Sequence, residues 1–129
     1  IKAWKLCSDN LTFSLEAERS TLTSFDEHEA ENLIFTGGRD NRIRMYARSD
    51  GKVLKVLESH KNAICKTVMC PSRRKLLSLD EDRRLFSWDL DNIMNPEEMH
   101  AFAGNLTILR YLSKTSLIAG DVKGYIKVW

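Results

Sequence analysis

Short apolar runs with an every-other-residue pattern fill most of this chain, and turn residues separate them. LIFTGG (33–38), RIRMYA (42–47), KVLKVL (52–57), ICKTVMC (64–70), KLLSL (75–79) and RRLFSW (83–88) all have this character. Period-two alternation over five to seven residues is the signature of a half-buried β-strand. IKAWKL, LTFSLEA and STLTSF predict strands before this block, and LTILRYL, SLIAG and YIKVW predict them after it. DEHEAEN (26–32) has no apolar period and is expected to be a charged surface loop. DLDNIMNPEEMH (89–100) is the longest connection, broken at Asn95-Pro96, and EMHAFA is expected to supply an outer strand. The pattern predicts an all-β chain of about thirteen strands.

The runs recur. Trp4, Tyr46, Trp88 and Trp129 are spaced by 42, 42 and 41 residues, with Ile1, Ile43, Leu85 and Ile126 each three positions earlier. Upstream, Ile34, Leu76 and Leu117 align, then Thr36, Ser78 and Ala119. The turns GGRDN, SLDEDR and GDVKG lie between the two columns, and Gly, Asn and Asp suit the left-handed backbone of such turns. A fixed period of this length marks a repeat architecture, in which each unit buries its faces only against its neighbours.

The segment from Ser59 to Asp89 carries a His, an acidic turn and a Trp-Asp pair in the spacing of one repeat. On these residues the chain resembles the WD-repeat family. The resemblance implies a β-propeller of four-stranded antiparallel blades, here a partial propeller of about three repeats. It divides the chain into the second half of one blade (1–19), two blades (20–58 and 59–103) and three strands of a further blade (104–129). It also implies a structural hydrogen-bond network from Asp82 to His60, Ser78 and Trp88. Buried imidazole, hydroxyl and indole groups each need a partner. A Ser-His-Asp set invites a catalytic reading, but this hydroxyl would face an indole inside a blade rather than a cleft. The second unit keeps Thr36 and Asp40 but has Tyr46 for the Trp, and the last has Ala119 and Lys123, so their networks are expected to be altered.

Composition narrows the function classes. The chain is 43% hydrophobic and 29% charged, as expected for a globular protein, and no apolar run is long enough for a membrane helix. A net charge of +2 argues for neither nucleic acid nor membrane. Cys7, Cys65 and Cys70 are odd in number and fit no metal spacing, which points to an intracellular, cytoplasmic or nuclear, compartment. The acidic loop at 26–32 lacks an HExxH helix, so no metal is expected there. No nucleophile with a poised base and no cofactor motif is present, so neither an enzyme nor a cofactor is expected.

The resemblance implies a protein-protein or peptide interaction scaffold. Its candidate partner face comprises Arg39, Asn41, Lys61, Asn62, Glu81, Arg83 and Lys123. The basic lean of this set suits acidic or phosphorylated segments. Two alternatives remain: a nucleic-acid or phosphoinositide-linked propeller using the basic turns, and an accessory repeat domain of a larger enzyme such as a kinase or ubiquitin-ligase subunit. Both ends of the sequence fall within a blade, so further blades are expected from the same longer chain or from other copies.

Overall fold

The computed structural model describes residues 2–5, 10–14, 20–99, 106–111 and 116–128. Thirteen strands are present among them. β1 (Lys2–Lys5) and β2 (Asn10–Ser14) form a two-stranded antiparallel pair. β3 (Leu22–His28), β4 (Leu33–Gly38), β5 (Ile43–Ala47) and β6 (Val53–Leu57) form a four-stranded meander. β7 (Ile64–Cys70), β8 (Lys75–Asp80), β9 (Leu85–Asp89) and β10 (Glu97–Met99) form a second. β11 (Leu106–Tyr111), β12 (Leu117–Asp121) and β13 (Ile126–Val128) form a three-stranded sheet. The first strands β3, β7 and β11 lie side by side, and the sheets stack face to face behind them. This is a partial β-propeller.

Register explains the two cores. Leu76 pairs with Trp88 and Ser78 with Phe86, so these four side chains share the face of the β7–β10 sheet turned toward β3–β6. There Leu76, Phe86 and Trp88 pack with Phe35, Ile43, Leu57, Ile64 and Met69. The intervening residues Leu77, Leu79 and Leu85 occupy the opposite face and pack with Leu109, Leu117 and Ala119 of the last sheet. Each fully buried aliphatic side chain contributes about 1.5–3 kcal/mol relative to exposure, so both faces of the middle sheet hold the stack together.

One element departs from the pattern. Strand β3 runs through Asp26 and Glu27 to His28, where the sequence predicts a loop; only Glu29–Glu31 turn, as a single 3-10 turn. The reason lies across the sheet interface. Asp26 Oδ2 accepts the Met69 N–H at 2.7 Å, and Ser24 Oγ lies 3.2 Å from Thr67 Oγ1. The Thr23 hydroxyl is shared between the carbonyls of Gly37 and Ile64. Polar side chains thus stitch β3 to β7, and this partner, not local hydrophobicity, keeps the acidic residues extended.

Candidate functional site

The middle four-stranded sheet carries a continuous buried hydrogen-bond chain. Trp88 Nε1 donates to Ser78 Oγ at 2.7 Å, Ser78 Oγ lies 2.6 Å from His60 Nε2, and His60 Nδ1 lies 2.8 Å from Asp80 Oδ2. A neutral imidazole satisfies every group in the chain: the Ser78 oxygen accepts from the indole and gives its own hydrogen to Nε2, and Nδ1–H donates to the carboxylate. Burial pushes the His60 pKa down; the hydrogen bond and charge of Asp80 act upward, and the balance stays below the ordinary value. Phe86 packs edge-on against the imidazole at 4.6 Å between ring centres, completing the enclosure.

The acid at the end of this chain is Asp80, not the expected Asp82. Strand alternation places Leu76, Ser78 and Asp80 on one face, two residues apart, so Asp80 points at the same imidazole as Ser78. It is 1% exposed, and its second oxygen accepts the Arg84 N–H at 2.9 Å, so it also braces the turn. Asp82 sits at the exposed tip of that turn and accepts from Asn62 Nδ2 at 2.6 Å. The sequence did hold a signal: Gly38, Asp80 and Asp121 occupy one column at the repeat period, and Asp121 likewise closes its turn through the Lys123 and Tyr125 N–H groups.

The protonation state predicts a pH dependence. His60 titrates lower in the fold than in the unfolded chain, whose ordinary value is 6.5. Between these two values the unfolded chain binds a proton that the folded chain refuses, so stability rises with pH. The His60 contribution is complete above about pH 6.5 and declines as the pH falls toward the lowered folded value. Denaturant melts across this window should show that loss. A flat profile would mean that the buried imidazole is not held neutral.

Among the described residues, the neighbouring β3–β6 sheet has no such chain. Tyr46 and Thr36 take the positions of Trp88 and Ser78, yet Tyr46 Oη and Thr36 Oγ1 are buried without a hydrogen-bond partner among the described residues. Arg44 stands where Phe86 stands, and its Nη2 donates to Asp40 Oδ2 at 2.6 Å. Burial pushes the Asp40 carboxyl up, but the hydrogen bond and charge of Arg44 outweigh it and hold the pKa below its usual range. A partly buried ion pair stands here in place of the neutral chain. Trp129, of the last repeat, lies outside the described residues.

Around these networks the turns form a single face. Asn41 Nδ2 donates to the Lys61 carbonyl at 2.9 Å, so one turn is braced on the loop before β7. Asn62 braces the next turn through Asp82, and the Glu81 N–H bonds the Ala63 carbonyl at 3.0 Å. Asn41 and Asn62 are therefore engaged in holding the surface. Arg39, Lys61, Glu81 and Arg83 are exposed on it, and Lys123 is exposed on the equivalent turn of the last sheet, making no hydrogen bond to this set. Arg83 has a left-handed backbone (φ 68°) where the other turns have Asn41 and Gly124. Below the turns, the inner strands β3, β7 and β11 line a groove of about 290 Å³. Sequence reading also passed over a slot of about 200 Å³ lined by Cys65, Leu79, Asp80, Glu81, Arg83 and Leu106. Among the described residues, no cluster of three or more His, Cys, Asp or Glu side chains is arranged to hold a metal ion.

Comparison with known proteins places this geometry. A family model for the WD domain, G-beta repeat, matches residues 9–46. Cell division control protein 4 of Saccharomyces cerevisiae is 30% identical over 117 residues, covering 76% of this chain. Residues 9–46 thus match a WD repeat, and the chain is similar to WD-repeat proteins over most of its length. A WD repeat-containing protein 91 homolog of Dictyostelium discoideum is 22% identical over 82% of the chain. These matches cover 15% and 14% of the two relatives' lengths. The fold superposes on the computationally designed Ika8 protein with a TM-score of 0.80 at 21% identity, covering 99% of this chain and 39% of that one. The His60 chain joins Trp88 of β9, Ser78 and Asp80 of β8 and the Arg84 N–H of the following turn within one sheet. Among the described residues, no helix is long and apolar enough to cross a membrane.

Proposed function

We propose that this chain is a non-catalytic interaction scaffold of the WD-repeat type that binds peptide segments of partner proteins on the face built by its braced turns. The carrying observation is that Arg39 and Lys61 are exposed on tied-down turns and enter no ion pair among the described residues. Two unneutralised cations on braced turns suit a carboxylate or phosphate group of an incoming segment, because the turn backbone is already ordered in the fold. Other cations nearby are occupied. Arg42 pairs with Glu58 at 2.6 Å, and Arg84 lies 4.0 Å from Glu98. A segment with an acidic or phosphorylated residue is the partner this reading predicts.

The test is selection of short randomised peptides, with and without phosphoserine, against the parent chain and the Arg39→Glu, Lys61→Glu double variant. The parent should enrich acidic or phosphorylated peptides. The double variant should bind them at least about tenfold more weakly, with an unchanged melting temperature. Equal binding by both proteins would remove this face from the function.

A further inference from the structure

The slot between the last two described sheets arises from residue differences between equivalent positions. One blade earlier, its counterpart is closed. There Gly37 lets Ile64 seat directly against the strand, and the Thr23 hydroxyl reaches the Ile64 carbonyl. Ile64 is 1% exposed as a result. At the repeat period, Thr23 becomes Cys65, Gly37 becomes Leu79 and Ile64 becomes Leu106. The thiol is a poor substitute for the bridging hydroxyl, and the Leu79 side chain occupies the space that a glycine leaves open. The two sheets then meet around an opening of about 200 Å³, and Leu106 is only half-buried.

The chemistry of the opening selects its occupant. Its floor is Leu79, Leu106 and Cys65, an apolar surface the size of one aliphatic side chain. Its mouth carries Glu81, which is exposed and forms no ion pair among the described residues. Asp80 also lines the slot, with its carboxylate turned to the other face of the sheet toward His60. The same charges act on Cys65 in the floor. Burial first, then the charges of Glu81 and Asp80, push its thiol pKa up, and Lys66 opposes them more weakly. Arg83 at the rim has a partner of its own.

We infer that this slot is a side-chain subsite that receives a Leu, Ile or Met of a partner peptide, with a Lys or Arg beside it paired to Glu81. The inference rests on the peptide-binding reading above and adds a second contact to it. The anchor supplies apolar burial, and the flanking cation supplies the charge complement that Arg39 and Lys61 cannot.

The same peptide selection tests it, with two more variants of the full chain. Glu81→Lys changes an exposed turn charge and leaves the fold intact. Cys65→Leu fills the floor. Peptides enriched by the parent should carry an aliphatic residue next to Lys or Arg. Either variant should weaken them by about tenfold or more, as should replacing the aliphatic residue with Ser. If Cys65→Leu does not fold, the Glu81→Lys comparison still decides. Peptides that depend on Arg39 and Lys61 but ignore Glu81 and Cys65 would overturn the slot and leave the face standing. Peptides that depend on the slot alone would support the slot and overturn the cationic site. No enrichment over an unrelated control protein would overturn both.

Discussion

Replacing Asp80 with Ala should cost about 3 kcal/mol of folding stability, whereas Asp82→Ala should stay within about 0.5 kcal/mol of the parent. The difference follows from what each carboxylate leaves behind. Without Asp80, the His60 Nδ1–H has no acceptor in a site sealed by Phe86 and Trp88, and water cannot replace it. The imidazole can switch its proton to Nε2, and Ser78 Oγ can then accept from both His60 and Trp88, but His60 Nδ1 and the Ser78 hydrogen lose their partners. Either tautomer leaves a group unpaired. The Arg84 N–H loses its acceptor as well. Asp82 holds only an exposed Asn62 amide, which water can satisfy. Urea melts of the two variants measure this directly. Equal destabilisation, or a larger loss at Asp82, would show that the chain ends on the other acid.

That result would also locate the limit of what the sequence revealed. The blade pattern was legible because alternation, turn residues and the spacing of Tyr46 and Trp88 all encode local geometry. His60, Ser78 and Trp88 were expected only through the family resemblance carried by the spacing from Ser59 to Asp89, and the structure joins them. The acid was not legible, because Asp80 and Asp82 are both even-numbered steps from Ser78 and differ only in where the strand ends. Strand β8 ends at Asp80, so Asp80 still points inward while Asp82 already stands on the turn. The extension of β3 was hidden by a different cause. Asp26 and His28 look like loop residues, and the Met69 N–H that holds Asp26 lies 43 residues away in sequence. The slot was hidden because its meaning is relative. Leu79 and Cys65 are unremarkable residues until they are laid against Gly37 and Thr23.

Gly37 supplies the second large effect. Gly37→Ala should destabilise by about 2–3 kcal/mol, although Ala is ordinarily the better strand residue of the two. The backbone here does not need glycine's conformational range, so the cost is one of space. An added Cβ would collide with Ile64 Cγ2 and lie 2.7 Å from Ser24 Oγ and 2.9 Å from Ile64 Cβ. None of these atoms can retreat easily. Ile64 belongs to the core shared by the two sheets, and Ser24 Oγ is held 3.2 Å from Thr67 Oγ1. The blades must part instead, which loosens the contacts that Thr23 and Asp26 make to β7. Ile64→Ala alone should cost about 2–5 kcal/mol as a cavity. Combined with Gly37→Ala, it removes the most severe collision, that with Ile64 Cγ2, and leaves only the Ser24 Oγ and residue-64 Cβ contacts to relax. The double variant should therefore be more stable than the two losses predict together, by about 1 kcal/mol or more. Additive losses would mean that the blades do not meet through Gly37 and Ile64. The closed contact would then no longer explain why the equivalent position, with Leu79, stands open.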